Sequence, residues 1–78
     1  MRDEIKRIMA SIFRIEASEI GDDAKINKVR NWDSLGHITL MLALEDHFKV
    51  RISSDNIMKL QSLEAIERFL AQPGQPVA

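Results

Sequence analysis

Asn31-Trp32-Asp33-Ser34-Leu35-Gly36-His37, continuing through Ile38-Thr39-Leu40-Met41-Leu42-Ala43-Leu44-Glu45-Asp46-His47-Phe48, is the stretch whose reading decides the fold. A polar loop gives way here to a long run with helical periodicity, and Asp33 is placed to cap a helix spanning Ser34 to about Phe48. Ser34 then stands at the helix N-terminus. Free backbone N–H groups and the positive end of the macrodipole would stabilise a phosphate bonded to its hydroxyl. The site suits a phosphodiester.

Spaced by about 100° per residue, Leu40, Met41, Leu44 and Phe48 fall on one side of this helix and Leu35, Ile38 and Leu42 on the other, with Ser34 and Glu45 beside the second group. In a small bundle one stripe faces the core, and the other is read as an exposed docking strip leading away from the serine. The alternative is a central helix buried on both faces.

Outward from this helix the chain reads as further helices separated by polar punctuation. Ile5, Ile8, Met9, Ile12 and Phe13 recur at helical spacing between Asp3 and about Ile15, with acids at the front and Arg14 near the back. From Glu16 to Trp32 polar residues dominate, and Ile20, Ile26 and Val29 are isolated apolar anchors. A loop of that length in a compact domain usually has a function. Beyond the long helix, Val50-Arg51-Ile52 is an extended connector, Ser53-Ser54-Asp55 opens a short helix carrying Ile57 and Leu60, and Ser62 caps a last one bearing Leu63, Ile66, Phe69 and Leu70. The expected architecture is all-α, a four-helix bundle with a long loop between helices one and two and a short third helix. Residues 1–72 are read as the domain and 73–78, rich in Gln, Pro and Gly, as a disordered tail.

Composition narrows the chemistry. A chain of 78 residues makes a deep catalytic cleft improbable. The 11 basic and 12 acidic side chains nearly cancel, so no overall field points to nucleic acid or to an anionic membrane. With no cysteine, disulfides, thiolate metal sites and a protein-borne thiol are excluded, and the chain fits a reducing cytoplasm. The charged start, Met1-Arg2-Asp3-Glu4, leads into an amphipathic segment, so neither a signal peptide nor a membrane span is expected.

Asp33-Ser34-Leu35, the run Ile38 to Phe48 and the trailing Val50-Arg51-Ile52-Ser53 closely resemble the acyl carrier proteins. In that family the serine of an Asp-Ser-Leu motif receives 4′-phosphopantetheine. The resemblance covers most of the chain and implies a carrier rather than an enzyme. Acyl intermediates would be held as thioesters on an arm attached to Ser34 and presented to partner enzymes in pathways such as fatty acid biosynthesis. It also implies a phosphopantetheinyl transferase that draws on coenzyme A and Mg²⁺, acyl or aminoacyl ligases, synthases or transferases as partners, and a monomeric cytoplasmic protein. Asp33 would help present the site to the metal, although capping comes first among its roles.

Partner docking is assigned to Trp32, Leu35, Ile38, Thr39, Leu42, Glu45 and Asp46, with shielding of the helix entry as the other reading of Trp32. Where fatty-acid carriers usually have acids early in helix two, this chain has Gly36 and Thr39, and the preceding loop adds Lys25, Lys28 and Arg30, so a basic partner patch would gain less. Gly36 is also reminiscent of the D-alanyl carrier proteins, which accept an activated amino acid. A different class of reading is an unmodified helical interaction module using the Leu35, Ile38 and Leu42 strip. A helix-turn-helix DNA binder ranks below both, because helix two carries no Lys or Arg before Lys49.

His37 and His47 do not share a helix face, so no metal site is expected, and His37 is given a satisfied polar contact to the long loop. An Asp33, Ser34, His37 triad fails on geometry. Met9, Met41 and Met58 read as core filler. Asp22-Asp23 reads as a solvated turn.

Overall fold

The computed structural model describes residues 1–71; the tail assigned to 73–78 lies outside the described residues. Four α-helices follow one another: α1 (Arg2–Phe13), α2 (Ser34–Phe48), α3 (Ser54–Lys59) and α4 (Leu63–Leu70), with a short 3₁₀ turn at Ala17–Glu19 and no strand among the described residues. The all-α bundle with a short third helix read from the sequence is the observed one.

Local chemistry explains the boundaries. Asp33, Ser53 and Ser62 each sit in extended backbone, and their side-chain oxygens accept the N–H of Gly36, Asn56 and Ala65 respectively, satisfying one of the orphan donors at each helix start. Helices α1 and α2 stop where Arg14 (φ 58°) and Lys49 (φ 56°) turn left-handed, the conformation that turns the chain out of a helix at its C-terminus. Helix α1 is shorter at its end than the apolar pattern implies, because Arg14 already leaves the helical region.

α1 and α2 run antiparallel. Glu4 near the start of α1 meets His47 near the end of α2, and Phe13 at the other end of α1 packs its ring 5.8 Å from that of Trp32, just ahead of α2. The core between the helices holds Ile5, Met9 and Phe13 of α1, Leu40, Met41 and Leu44 of α2, Leu60 at the end of α3, and Leu63 and Ile66 of α4. Burying such side chains is the main stabilising term.

The long loop is not loose. Ile20, Ala24 and Trp32 enter the core, and Ile26 and Val29 pack against it. Its backbone is stitched to the α3–α4 connector: Ile26 N–H donates to Gln61 O at 2.9 Å and Leu63 N–H to Ala24 O at 2.9 Å. Asp22 and Asp23 are more than a solvated turn. Asp22 Oδ1 accepts from Lys6 Nζ at 2.8 Å and pairs with Arg2 at 3.5 Å, and Asp23 pairs with Lys28. Arg2 in turn hydrogen-bonds Glu67, tying the start of α1 to α4.

Candidate functional site

Ser34 is the first residue of α2 and is exposed. Asp33 Oδ1 accepts the Gly36 N–H at 2.9 Å and Asp33 O accepts the His37 N–H at 2.7 Å. Asp33 is therefore the helix cap. The earliest N–H groups of a helix have no intrahelical partner, so positive potential remains at the serine. An exposed hydroxyl there has room for a bulky substituent, and the helix end offsets the repulsion between a phosphodiester and the Asp33 carboxylate. The residues present fit a serine-linked phosphopantetheine, which supplies the thiol that a chain without cysteine lacks.

The segment in front of Ser34 is fixed by four contacts. Asn31 Nδ2 donates to Phe13 O at 2.7 Å, satisfying a carbonyl at the end of α1. Asn27 N–H donates to Trp32 O at 2.7 Å, and Trp32 N–H donates to Val29 O at 3.0 Å. Trp32 Nε1–H donates to His37 Nδ1 at 3.0 Å. Asn27 and Asn31 both adopt positive φ, 67° and 69°, which asparagine tolerates better than most residues. The sequence does not flag Asn31 as functional. Two asparagines in a loop ahead of a helix cap were the available signal.

Gly36 acquires a different explanation from the one its sequence position offers. A β-carbon there would lie 2.2 Å from Asn31 O and 3.3 Å from Phe13 Cε1, so glycine is required by the close approach of the loop. It is not simply an absent acid, and its presence says little about cargo.

Helix α2 exposes the strip read from the sequence: Leu35 is 77 % exposed, Leu42 61 % and Ile38 45 %, whereas Leu40, Met41 and Leu44 are buried. The alternative of a helix buried on both faces is overturned. Thr39 is exposed on the same helix, its hydroxyl donating to Leu35 O. Asp46 is exposed too, near Lys49.

Three assignments change. Trp32, expected among the docking residues, is 1 % exposed and stacks between Phe13 and His37, so it shields the base of the site and offers no surface to a partner. The Glu45 carboxylate accepts Ile52 N–H at 2.7 Å, holding the α2–α3 connector, and is partly buried. Met58, expected in the core, is 71 % exposed on α3. The short α3 buries Leu60 at its end and half-buries Ile57, which turns Met58 outward. His37 does make the satisfied polar contact expected of it, to Trp32 and also to Ile57 O of α3 at 2.7 Å.

Among the described residues no group of three or more His, Asp and Glu side chains converges to hold a metal, and no helix is long and apolar enough to cross a membrane. Glu4 sits below the usual carboxylate range through its hydrogen bond to His47, Asp22 through that to Lys6, and Asp23 through that to Lys28. Asp22 and Asp23 belong to the long loop ahead of Ser34, Asp23 being paired with Lys28 of the same loop, whereas Glu4 lies at the start of α1.

The phosphopantetheine attachment site family model matches residues 3–70, so the chain belongs to this family of carrier proteins, which bear covalent 4′-phosphopantetheine and are not catalysts. Among curated proteins it is similar to an acyl carrier protein of Campylobacter jejuni subsp. doylei, 29 % identical over 68 residues that cover 87 % of this chain and 88 % of the relative. An acyl carrier protein of Solidesulfovibrio magneticus is 28 % identical over 68 residues, covering 87 % of each. Membership implies a phosphopantetheinyl transferase and a loading synthase or ligase as partners.

Proposed function

We propose that Ser34 is the attachment serine and that the protein holds acyl groups as thioesters on the phosphopantetheine arm, presenting them to partner enzymes in the cytoplasm as a monomer. The observation that carries this reading is the exposed hydroxyl of Ser34 at the start of α2, within Asp33-Ser34-Leu35 and inside the family match. Ser53 and Ser62, by contrast, are caps whose hydroxyls are occupied by Asn56 and Ala65 N–H. The chain itself does no bond chemistry. Asp33 caps the helix through Oδ1, and its exposed carboxylate would also help hold the Mg²⁺ that accompanies transfer from coenzyme A. Leu35, Ile38, Thr39 and Leu42, with Asp46 further on, form the face from which partners read the carrier. The aminoacyl alternative rested on Gly36, which packing already explains.

Incubation with coenzyme A, Mg²⁺ and a broad-specificity transferase should add one phosphopantetheine to the wild type and none to Ser34→Ala, as read by intact mass. Modification persisting in the alanine variant would overturn the assignment. No modification of the wild type would return the chain to the class of unmodified interaction modules.

A further inference from the structure

His37 is the one buried polar side chain among the described core residues, and its bonding fixes its protonation state. An indole N–H only donates, so Nδ1 must accept from Trp32; Nε2 then carries the proton and donates to Ile57 O. The ring is neutral, and both nitrogens are in use. Protonation at Nδ1 would set two N–H donors against each other in a buried site where a charge also loses its hydration. The Trp32 bond and the imidazolium cannot coexist.

The charged groups on the elements around the ring are engaged or exposed. From the loop, the Asp33 carboxylate takes Gly36 N–H; from α2, Glu45 takes Ile52 N–H. Arg14 beyond α1, and Asp55 and Lys59 of α3, are exposed. Among the described residues none of them is hydrogen-bonded to His37. No carboxylate is therefore bonded to the ring to hold an added proton.

We propose that His37 is a proton-sensitive tie: in its neutral form it joins the loop before Ser34 to α3 across the start of α2, and its protonation frees both while the rest of the bundle stays folded. The release is local because α3 has only six residues, too few to be stable by itself, whereas α1, α2 and α4 keep their apolar contacts. Short elements with few buried contacts are where sub-global opening occurs. Given the reading of Ser34 as the attachment serine, His37 is a positioning residue whose charge state governs how firmly that serine is presented.

The test is direct because Trp32 is the only tryptophan, there is no tyrosine, and His47 is the only other histidine. Fluorescence should report a one-proton transition on acidification in the wild type and in His47→Gln, absent in His37→Gln, with far-UV circular dichroism largely kept across it. A transition that persists in His37→Gln, or fluorescence and helicity lost together, would overturn the tie. If His37→Gln does not fold, ¹⁵N spectra of the wild-type ring decide: the neutral Nε2–H tautomer is expected at neutral pH, and an imidazolium or the Nδ1–H tautomer overturns the proposal. For the link to Ser34, the wild-type to His37→Gln ratio of transferase kcat/KM should fall severalfold through the same transition; a flat ratio overturns it. Failure of both proteins to accept phosphopantetheine at any pH would strike the attachment reading instead, leaving the fluorescence result to judge the tie.

Discussion

The Asn31 carbonyl occupies the space above Gly36: a β-carbon on that glycine would meet the oxygen at 2.2 Å. Because Asn31 is itself anchored to Phe13 O, the oxygen cannot swing away without detaching the loop from α1. Gly36→Ala should therefore destabilise the protein by roughly 1–3 kcal/mol, the usual cost of overpacking, despite alanine's better helix propensity. Urea titration measures it, and a neutral or stabilising substitution would mean that the loop yields freely.

The two faces of α2 should respond differently to truncation. Ile38→Ala and Leu42→Ala should lower stability by less than about 1 kcal/mol while slowing a transferase or loading enzyme, whereas Leu44→Ala should cost about 2–5 kcal/mol. Losses of equal size at all three positions would contradict a docking role for the outer strip.

Charge on that strip is best tested at Thr39, since Gly36 has no room for a side chain. Offered to a fatty-acid malonyl transferase, pantetheinylated Thr39→Glu should load severalfold faster than the wild type at low salt, with the advantage shrinking as salt rises. Equal loading at all salt concentrations would show that the missing acid is not what limits such a partner.

The ion pairs at the far end should give the protein an acid-sensitive component of stability. Asp22 is held below its ordinary 3.8 first by the hydrogen bond from Lys6, then by the charges of Lys6 and Arg2. A carboxyl depressed in the folded state stabilises above its unfolded value, and that contribution disappears as pH falls through the lower folded value. The stability difference between wild type and Asp22→Asn should thus be full at neutral pH, shrink only below about pH 4 to 5 and be weaker in high salt, because the pair is exposed. A difference that grows on acidification would contradict the pairing.

Lys49 closes α2 at φ 56° without being glycine. Relief of left-handed strain, about 1–2 kcal/mol, less the extra chain entropy of glycine, about 0.5–1 kcal/mol, leaves a small gain for Lys49→Gly. Thermal unfolding should show a higher midpoint; a lower one would mean that the lysine side chain contributes more than its backbone costs.

The helices were legible because periodicity and caps agreed: Asp33, Ser53 and Ser62 each precede the apolar pattern they initiate, and the two stripes of α2 separate cleanly by burial. What escaped were contacts made across sequence distance. Trp32 reads equally as a shield of the helix entry or a partner contact until Phe13 and His37 are seen to enclose it, Glu45 looks like a docking acid until Ile52 N–H reaches it, and Gly36 looks like a charge deletion until Asn31 folds over it. Met58 reads as core filler because its neighbours share helical spacing, and six residues of α3 are too few for periodicity to tell one face from the other.

The bond between Arg2 and Glu67 brings the first and last helices together at the end of the bundle where α1 begins, whereas Asn31 and Trp32 hold the serine loop where α1 finishes. The 11 residue steps from Arg2 to Phe13 span about 16 Å at the helical rise. The described chain therefore enters and leaves at one pole, and Ser34 stands near the other. A fluorophore or a second protein joined ahead of Arg2 or after Ala71 would hang from the pole opposite the serine, so tethering this carrier to a surface or to a loading enzyme leaves the proposed attachment serine facing outward.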